Sequence, residues 1–407
     1  MRQGKSLRKY IDIANAALDE GEYRKALEFA QKALGRDPFD IRALNAAAMA
    51  ANQLGEYQQA GALYEQALII QGESPEVYYN IGLIHANMGD HKGAIKIYRE
   101  ALAMEQDSSE ICLSLANSLA ETGQAEAALA AYDEALRIEP GLKDALFNKG
   151  MTLNRAGRPA EAADLFRHML EQEPDDPAVL EGLAYSLEST GRLAEALNLY
   201  KKAMAADPNS PEIAYNMSLT LEKLDRREEA LLMLDRALEL DPEFPGAWME
   251  KANILGDMGR DDEAVTIYAH EAERTPDDPL LYFNRGISLS RLSRNEEALA
   301  DFDRCLALSD DNLDALNNKG SVLLGFGRTT EATACFEQIL KVDKKNTAAL
   351  YNLACAHALG GDAKSAVAAL KKAAQMDKGI PEKAADDRDF SRIAQEEEFR
   401  ALTGKQT

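Results

Sequence analysis

The chain has 407 residues, of which 28% are charged, 46% apolar and only 6% aromatic, a composition that suits helices better than sheets. Its 46 basic side chains face 69 acidic ones, and the formal charge of −23 disfavours nonspecific attraction to a nucleic-acid backbone or an anionic membrane. The four cysteines (Cys112, Cys305, Cys335, Cys355) form no CxxC pair and no disulfide framework, and no apolar run could span a bilayer, so the sequence reads as a soluble cytoplasmic protein.

Residues 1–6 precede a strict period. Alanine recurs at Ala26, Ala60, Ala94, Ala128, Ala162, Ala196, Ala230, Ala264, Ala298, Ala332 and Ala366, always 34 residues apart. With these as position 20, residues 7–380 tile as eleven contiguous 34-residue repeats without insertion. Each repeat predicts a helix A over positions 1–14 and a helix B over 17–30. Position 8 is always small, as at Ala14, Gly82, Gly150 and Gly320, so the two helices can approach closely. Position 15 is glycine in nine repeats, where a helix C-terminus turns left-handed. Position 24 is large and apolar or aromatic in most repeats, and position 32 is proline at Pro38, Pro140, Pro174, Pro208, Pro242 and Pro276, which ends helix B. A hairpin of two amphipathic helices buries its apolar face only against its neighbours, so the repeats must stack.

Later positions modify the pattern. Position 7 is charged at Lys149, Lys251, Arg285 and Lys319, where long stems can snorkel. Trp248 falls on position 4 and is expected in the core. Glu271, Ser293 and Cys305 replace pattern residues, which makes 271–305 the expected weak stretch or hinge. Residues 381–407 open like a twelfth repeat and then abandon it; Phe390, Ile393, Phe399 and Leu402 are expected to cover Ala366, Leu370 and Ala373 as a C-terminal cap that keeps the chain monomeric.

The bulky residue at 4, Leu-Gly/Ala at 7 and 8, Tyr at 11, Ala at 20, Phe/Tyr at 24, Ala at 27 and Pro at 32 resemble the tetratricopeptide repeat (TPR) family over more than nine-tenths of the chain. The resemblance implies an all-α, right-handed superhelical solenoid whose A helices line a concave groove, with positions 2, 5, 6, 9, 12 and 13 facing inward. Position 6 is asparagine in six repeats: Asn80, Asn148, Asn216, Asn284, Asn318 and Asn352. Asparagine is a mediocre helix former, and its amide can both donate to and accept from a peptide backbone. The row is similar to the asparagine ladder of O-linked N-acetylglucosamine transferases, which holds extended polypeptide. Five of these residues follow an aromatic, at Tyr79, Phe147, Tyr215, Phe283 and Tyr351, which would grip ligand side chains. Replacing the asparagines by alanine is expected to weaken binding while stability holds or rises slightly with helix propensity.

Charge gives the ligand a sign. Residues 41–312 carry 24 basic and 49 acidic side chains and so hold the whole acidic excess. The implied inward positions include Glu121, Asp144, Glu222, Glu250 and Asp257, which favours a neutral-to-basic segment. A carboxylate clamp of the chaperone-adaptor kind is excluded, because Asp314 and Glu76 stand where it needs lysine. The expected function is a non-catalytic scaffold for protein binding; the alternative is a substrate-recognition subunit serving a separate catalytic chain such as a glycosyltransferase. No catalytic domain fits outside the repeats, and His85 and His357, at position 11, are expected to be packed. No spacing of histidine, cysteine and carboxylate matches a zinc site and no phosphate-binding loop occurs, so neither metal nor cofactor is expected.

Overall fold

The computed structural model describes residues 2–404; Met1 of the N-terminal segment and Lys405, Gln406 and Thr407 of the terminal segment lie outside the described residues. The chain divides into two compact bodies, Met1–Pro208 and Asn209–Thr407. The first is built of six helical hairpins: α1 (Arg2–Asp19) with α2 (Tyr23–Leu34), α3 (Ile41–Gln53) with α4 (Tyr57–Gln71), α5 (Pro75–Asn87) with α6 (His91–Met104), α7 (Ser109–Glu121) with α8 (Ala125–Ile138), α9 (Lys143–Arg155) with α10 (Pro159–Gln172), and α11 (Pro177–Ser189) with α12 (Leu193–Ala206). The second contains five more: α13 (Pro211–Lys223) with α14 (Arg227–Leu240), α15 (Ala247–Asp257) with α16 (Asp261–Arg274), α17 (Pro279–Arg291) with α18 (Asn295–Leu308), α19 (Leu313–Gly325) with α20 (Thr329–Val342), and α21 (Thr347–Leu359) with α22 (Ala363–Met376). It closes with α23 (Ile380–Asp386), a 3-10 turn (Arg388–Ile393) and α24 (Glu397–Thr403). The fold is all-α, with no strand among the described residues and no helix there long and apolar enough to cross a membrane.

Every hairpin but the first, which has Ala30 there, is held by one large buried side chain at position 24 of helix B. Tyr98, Phe166, Phe302 and Phe336 are fully buried, and each sits against the glycine at position 8 of its own helix A. A Cβ on Gly150 would lie 2.5 Å from the Phe166 ring, and one on Gly182 of the next repeat 2.8 Å from it, so two glycines make room for a single phenyl. The left-handed turn between helices persists where glycine is absent: Asp225 has φ 58° and Ser293 φ 60°. Seven of the A helices start on side-chain caps; Asp40, Ser108, Asp176, Ser210, Asp278, Asn312 and Asn346 each accept a backbone N–H of the first turn. Helix α15 departs from this, because Pro245 is followed by Gly246 at φ 80° and the helix begins two residues late. Trp248 is consequently half-buried rather than a core residue, and its Nε1–H donates to the Pro242 carbonyl at 3.0 Å.

The charged position 7 is an ion-pair device rather than a free snorkel. Lys149 meets Asp133 at 2.5 Å, Lys251 meets Asp235 at 2.6 Å and Lys319 meets Asp303 at 2.5 Å, each joining helix A to the preceding helix B. Before repeat nine, helix α16 has Ala269 where that aspartate would stand, and Arg285 turns instead to Asp301 of its own hairpin, with two bonds of 2.6 Å. Glu271 is buried and its carboxylate accepts from Arg274 at 2.8 Å. In the terminal segment Phe390, Ile393 and Phe399 are buried in one cluster with Ala366, Leu370 and Ala373, and Leu402 packs against its edge.

Candidate protein-binding face

Within each body most A helices touch the next, as α5 with α7, α7 with α9, α15 with α17 and α19 with α21. The six position-6 asparagines are half-buried on these helices, and their amides fall into two groups. Asn148 Nδ2 donates to Asn117 Oδ1 of α7 at 3.0 Å, Asn284 to Asn253 Oδ1 of α15 at 2.9 Å, and Asn352 to Asn317 Oδ1 of α19 at 2.8 Å. These three are rungs between repeats. Asn80 and Asn318 donate instead to backbone carbonyls of their own helices, Glu76 at 3.0 Å and Asp314 at 2.9 Å. Asn216 is half-buried on α13, where its backbone carbonyl accepts from Thr220 Oγ1 at 3.2 Å.

The rungs also tie helix B to helix A. Asn117 Oδ1 accepts from Tyr132 Oη at 2.7 Å as well, and Asn253 Oδ1 from Tyr268 Oη at 2.7 Å, so one carbonyl oxygen collects two donors. Burial pushes the Tyr132 phenol up to about 12, which keeps it a donor. With its N–H committed to the rung, Asn148 presents Oδ1 as an acceptor. The expectation that all six alanine variants spare stability therefore needs correction for Asn148, Asn284 and Asn352, whose loss removes a hydrogen bond between repeats. Asn117, Asn253 and Asn317 were missed by sequence reasoning; their signal is an asparagine at position 9 or 5 of the repeat before the rung.

Tyr79, Phe147 and Phe283 are half-buried and lean on the core rings of their own hairpins, with centroids 6.1 Å from Tyr98, 5.8 Å from Phe166 and 6.3 Å from Phe302. Tyr215 contacts Phe244 at 5.2 Å. Tyr351 departs from the row. It is 6% exposed, lies against Phe390 of the terminal segment, and donates to Asp387 Oδ2 at 2.6 Å, so it is sealed beneath that segment rather than offered to a ligand.

Two of the inward basic side chains are engaged: Arg155 meets Glu121 at 3.5 Å, and Arg291 donates to the Gly256 carbonyl at 2.7 Å and reaches Asp261 at 3.4 Å. Glu250 stands where other repeats carry the asparagine. Burial, reinforced by Glu222 and Asp257, raises its carboxyl above the ordinary value. His85 and His357 are half-buried rather than packed, and His85 Nδ1 contacts Asp90 Oδ2 at 2.9 Å. The structure also assembles a group that spacing did not reveal: the Cys355 thiol and the Asp387 and Asp389 carboxylates lie within 4.8 Å of one another. Their polar atoms are already used, since Asp387 accepts from Tyr351 and from the Asp389 N–H, and Cys355 bonds Asp389; the group fastens the terminal segment to α21.

Comparison with known proteins agrees with this architecture. One tetratricopeptide repeat model matches residues 11–76, 113–177, 215–279, 283–333 and 318–381, a second matches 153–215 and 189–239, and a third matches 75–108. No curated protein matches the chain. Among solved structures, a tetratricopeptide repeat protein from Parabacteroides merdae is 22% identical over 61% of this chain and 98% of its own, with a TM-score of 0.45. YrrB, described as a TPR protein with an unusual peptide-binding site, is 22% identical over 46% of this chain and 97% of its own, with a TM-score of 0.38. The Cut9–Hcn1 assembly of APC/C is 14% identical over 94% of both chains, with a TM-score of 0.45. The first family model alone spans well over half the sequence, and the chain belongs to the tetratricopeptide repeat family.

Proposed function

We propose that the chain is a non-catalytic, monomeric scaffold that holds an extended, neutral-to-basic polypeptide along its A helices. Membership of the TPR family supports a role in protein interaction, and the polypeptide's chemistry follows from the face itself. The observation that carries the reading is the row of half-buried amides, Asn80, Asn148, Asn216, Asn284 and Asn318, beside the aromatics Tyr79, Phe147, Tyr215 and Phe283. Each amide that spends its N–H on the protein retains an oxygen able to accept a backbone N–H, while the neighbouring ring offers apolar surface to a side chain. Asn352 is a rung of the same kind, but its aromatic neighbour Tyr351 lies under the terminal segment and leaves the proposed set. The excess of carboxylates between residues 41 and 312 selects against acidic ligands and speeds the approach of basic ones.

Affinity selection from a random twelve-residue peptide library, followed by calorimetry, tests this. The selected sequences should be neutral to basic, and the Asn80→Ala/Asn318→Ala protein should bind them at least tenfold more weakly at a melting temperature no lower than that of the wild type. Acidic consensus peptides, or unchanged affinity in the folded variant, would remove the amide row from the function.

A further inference from the structure

We propose that the cavity beside Phe147 is a specificity pocket of the binding face, which takes one bulky apolar side chain of a ligand flanked by lysine or arginine. The inference deepens the scaffold reading and rests on it. The cavity has a volume of about 320 Å³ and lies wholly in the first body, between the N-terminal turns of α9 and α11 and the last turns of α10. Leu146, Phe147, Met169 and Val179 supply its apolar wall. Its mouth exists because of one small residue. Position 2 carries a carboxylate in the repeats on either side, at Asp144 and Glu212, but is Ala178 here, which leaves the apolar wall reachable from the A-helix face. Position 27, alanine in seven repeats, is Met169 in the repeat before that of Ala178, and a thioether adapts to the shape of an incoming side chain.

The rim fixes the charge of what enters. Asp144, Glu173 and Asp176 line the cavity against Lys143 alone, and Lys143 is already paired with Glu173. The His168 ring, also in the lining, contacts Glu171 at 3.2 Å. Asp176 caps α11 through the N–H groups of Ala178 and Val179, a role that requires it to remain an acceptor. A phenylalanine or leucine side chain suits the size and apolarity of the wall, and cationic neighbours suit the uncompensated carboxylates. A free carboxylate or phosphate would meet like charge at the mouth.

The test uses the full chain with methyl-13C methionine, the Met169 resonance being assigned with a Met169→Leu variant. Three acetylated, amidated peptides are titrated: Gly-Lys-Ser-Phe-Ser-Lys-Gly, the same peptide with alanine for phenylalanine, and the same peptide with glutamate for both lysines. The phenylalanine peptide should move the Met169 signal and bind at least tenfold tighter than either of the others. Ala178→Phe, which fills the mouth from within, should abolish the discrimination between phenylalanine and alanine while circular dichroism stays that of the wild type. A Met169 signal indifferent to the phenylalanine peptide, or equal affinity for the phenylalanine and alanine peptides, would overturn the pocket. Either failure is separate from failure of the scaffold reading, which is decided by the library-selected peptides and the Asn80→Ala/Asn318→Ala protein.

Discussion

The two groups of asparagine make opposite predictions for one and the same substitution. At Asn80 and Asn318 the amide bonds only to its own helix, through Glu76 and Asp314. Alanine there forfeits little and gains helix propensity, so each change should stabilise the protein by about 0.5 kcal/mol. At Asn148, Asn284 and Asn352 the same gain of about 0.5 kcal/mol is set against a lost bond between repeats worth about 0.5–1.5 kcal/mol, and the Oδ1 atoms of Asn117, Asn253 and Asn317 each lose a donor. The net should be a destabilisation of up to about 1 kcal/mol per site. Because repeat arrays unfold in parts, a single unfolding free energy is a poor observable, and native-state hydrogen exchange of α7 to α9 is the suitable assay. Asn148→Ala should raise exchange there, and Asn80→Ala should not raise it in α5. Equal effects at the two positions would refute the assignment of Asn148 as a rung, and with it the claim that this face is a bonded framework as well as a binding surface.

Three further outcomes follow from the packing. Asp225→Gly and Ser293→Gly should each raise the melting temperature, because a left-handed residue other than glycine costs about 1 kcal/mol, less for aspartate; a fall at Ser293 would show that its side chain contributes more than its backbone strain costs. Asp301→Ala leaves the poorly exposed Arg285 guanidinium without its partner and should cost about 3 kcal/mol, whereas Asp133→Ala, at an exposed carboxylate, should cost under about 1 kcal/mol; similar losses in urea melts would contradict this ranking. Glu250 has a raised carboxyl pKa in the folded state, so the stability linked to it is fully present below its unfolded value and is lost as pH rises through the raised one. Glu250→Gln should therefore flatten the decline in stability above about pH 4.5, and an unchanged pH profile would exclude that burden.

Period and turn chemistry were legible because they repeat: eleven copies set the helix pairs and nine glycines marked the left-handed turn, which the structure keeps also at Asp225 and Ser293, where no glycine announced it. The small residue at position 8 was read as room for a close helix approach, and the structure fills that room with the position-24 ring of the same hairpin. Features that depend on two neighbouring repeats were harder. The partner of Asn148 is Asn117 of the repeat before, whereas Asn80 bonds its own helix although Asn45 stands in the repeat before it at the position that Asn317 holds before Asn352, a comparison across repeats rather than down a column. The aspartate 16 residues before Lys149, Lys251 and Lys319 was visible in the sequence but acquires meaning only when helix B of one repeat is set against helix A of the next. Tyr351 fits its column in every respect; only the terminal segment, which has no repeat register, determines that it is covered.

The central claim is that ligand lies on the A helices, and a hydrogen-exchange footprint tests it most directly. With a library-selected peptide bound, the A helices of one body, α5 and α9 or α13 and α17, should gain protection around the asparagine and aromatic positions, and the solvent faces of the B helices between them should be unchanged. Protection confined to the B helices, or to the loops between hairpins, would contradict the account.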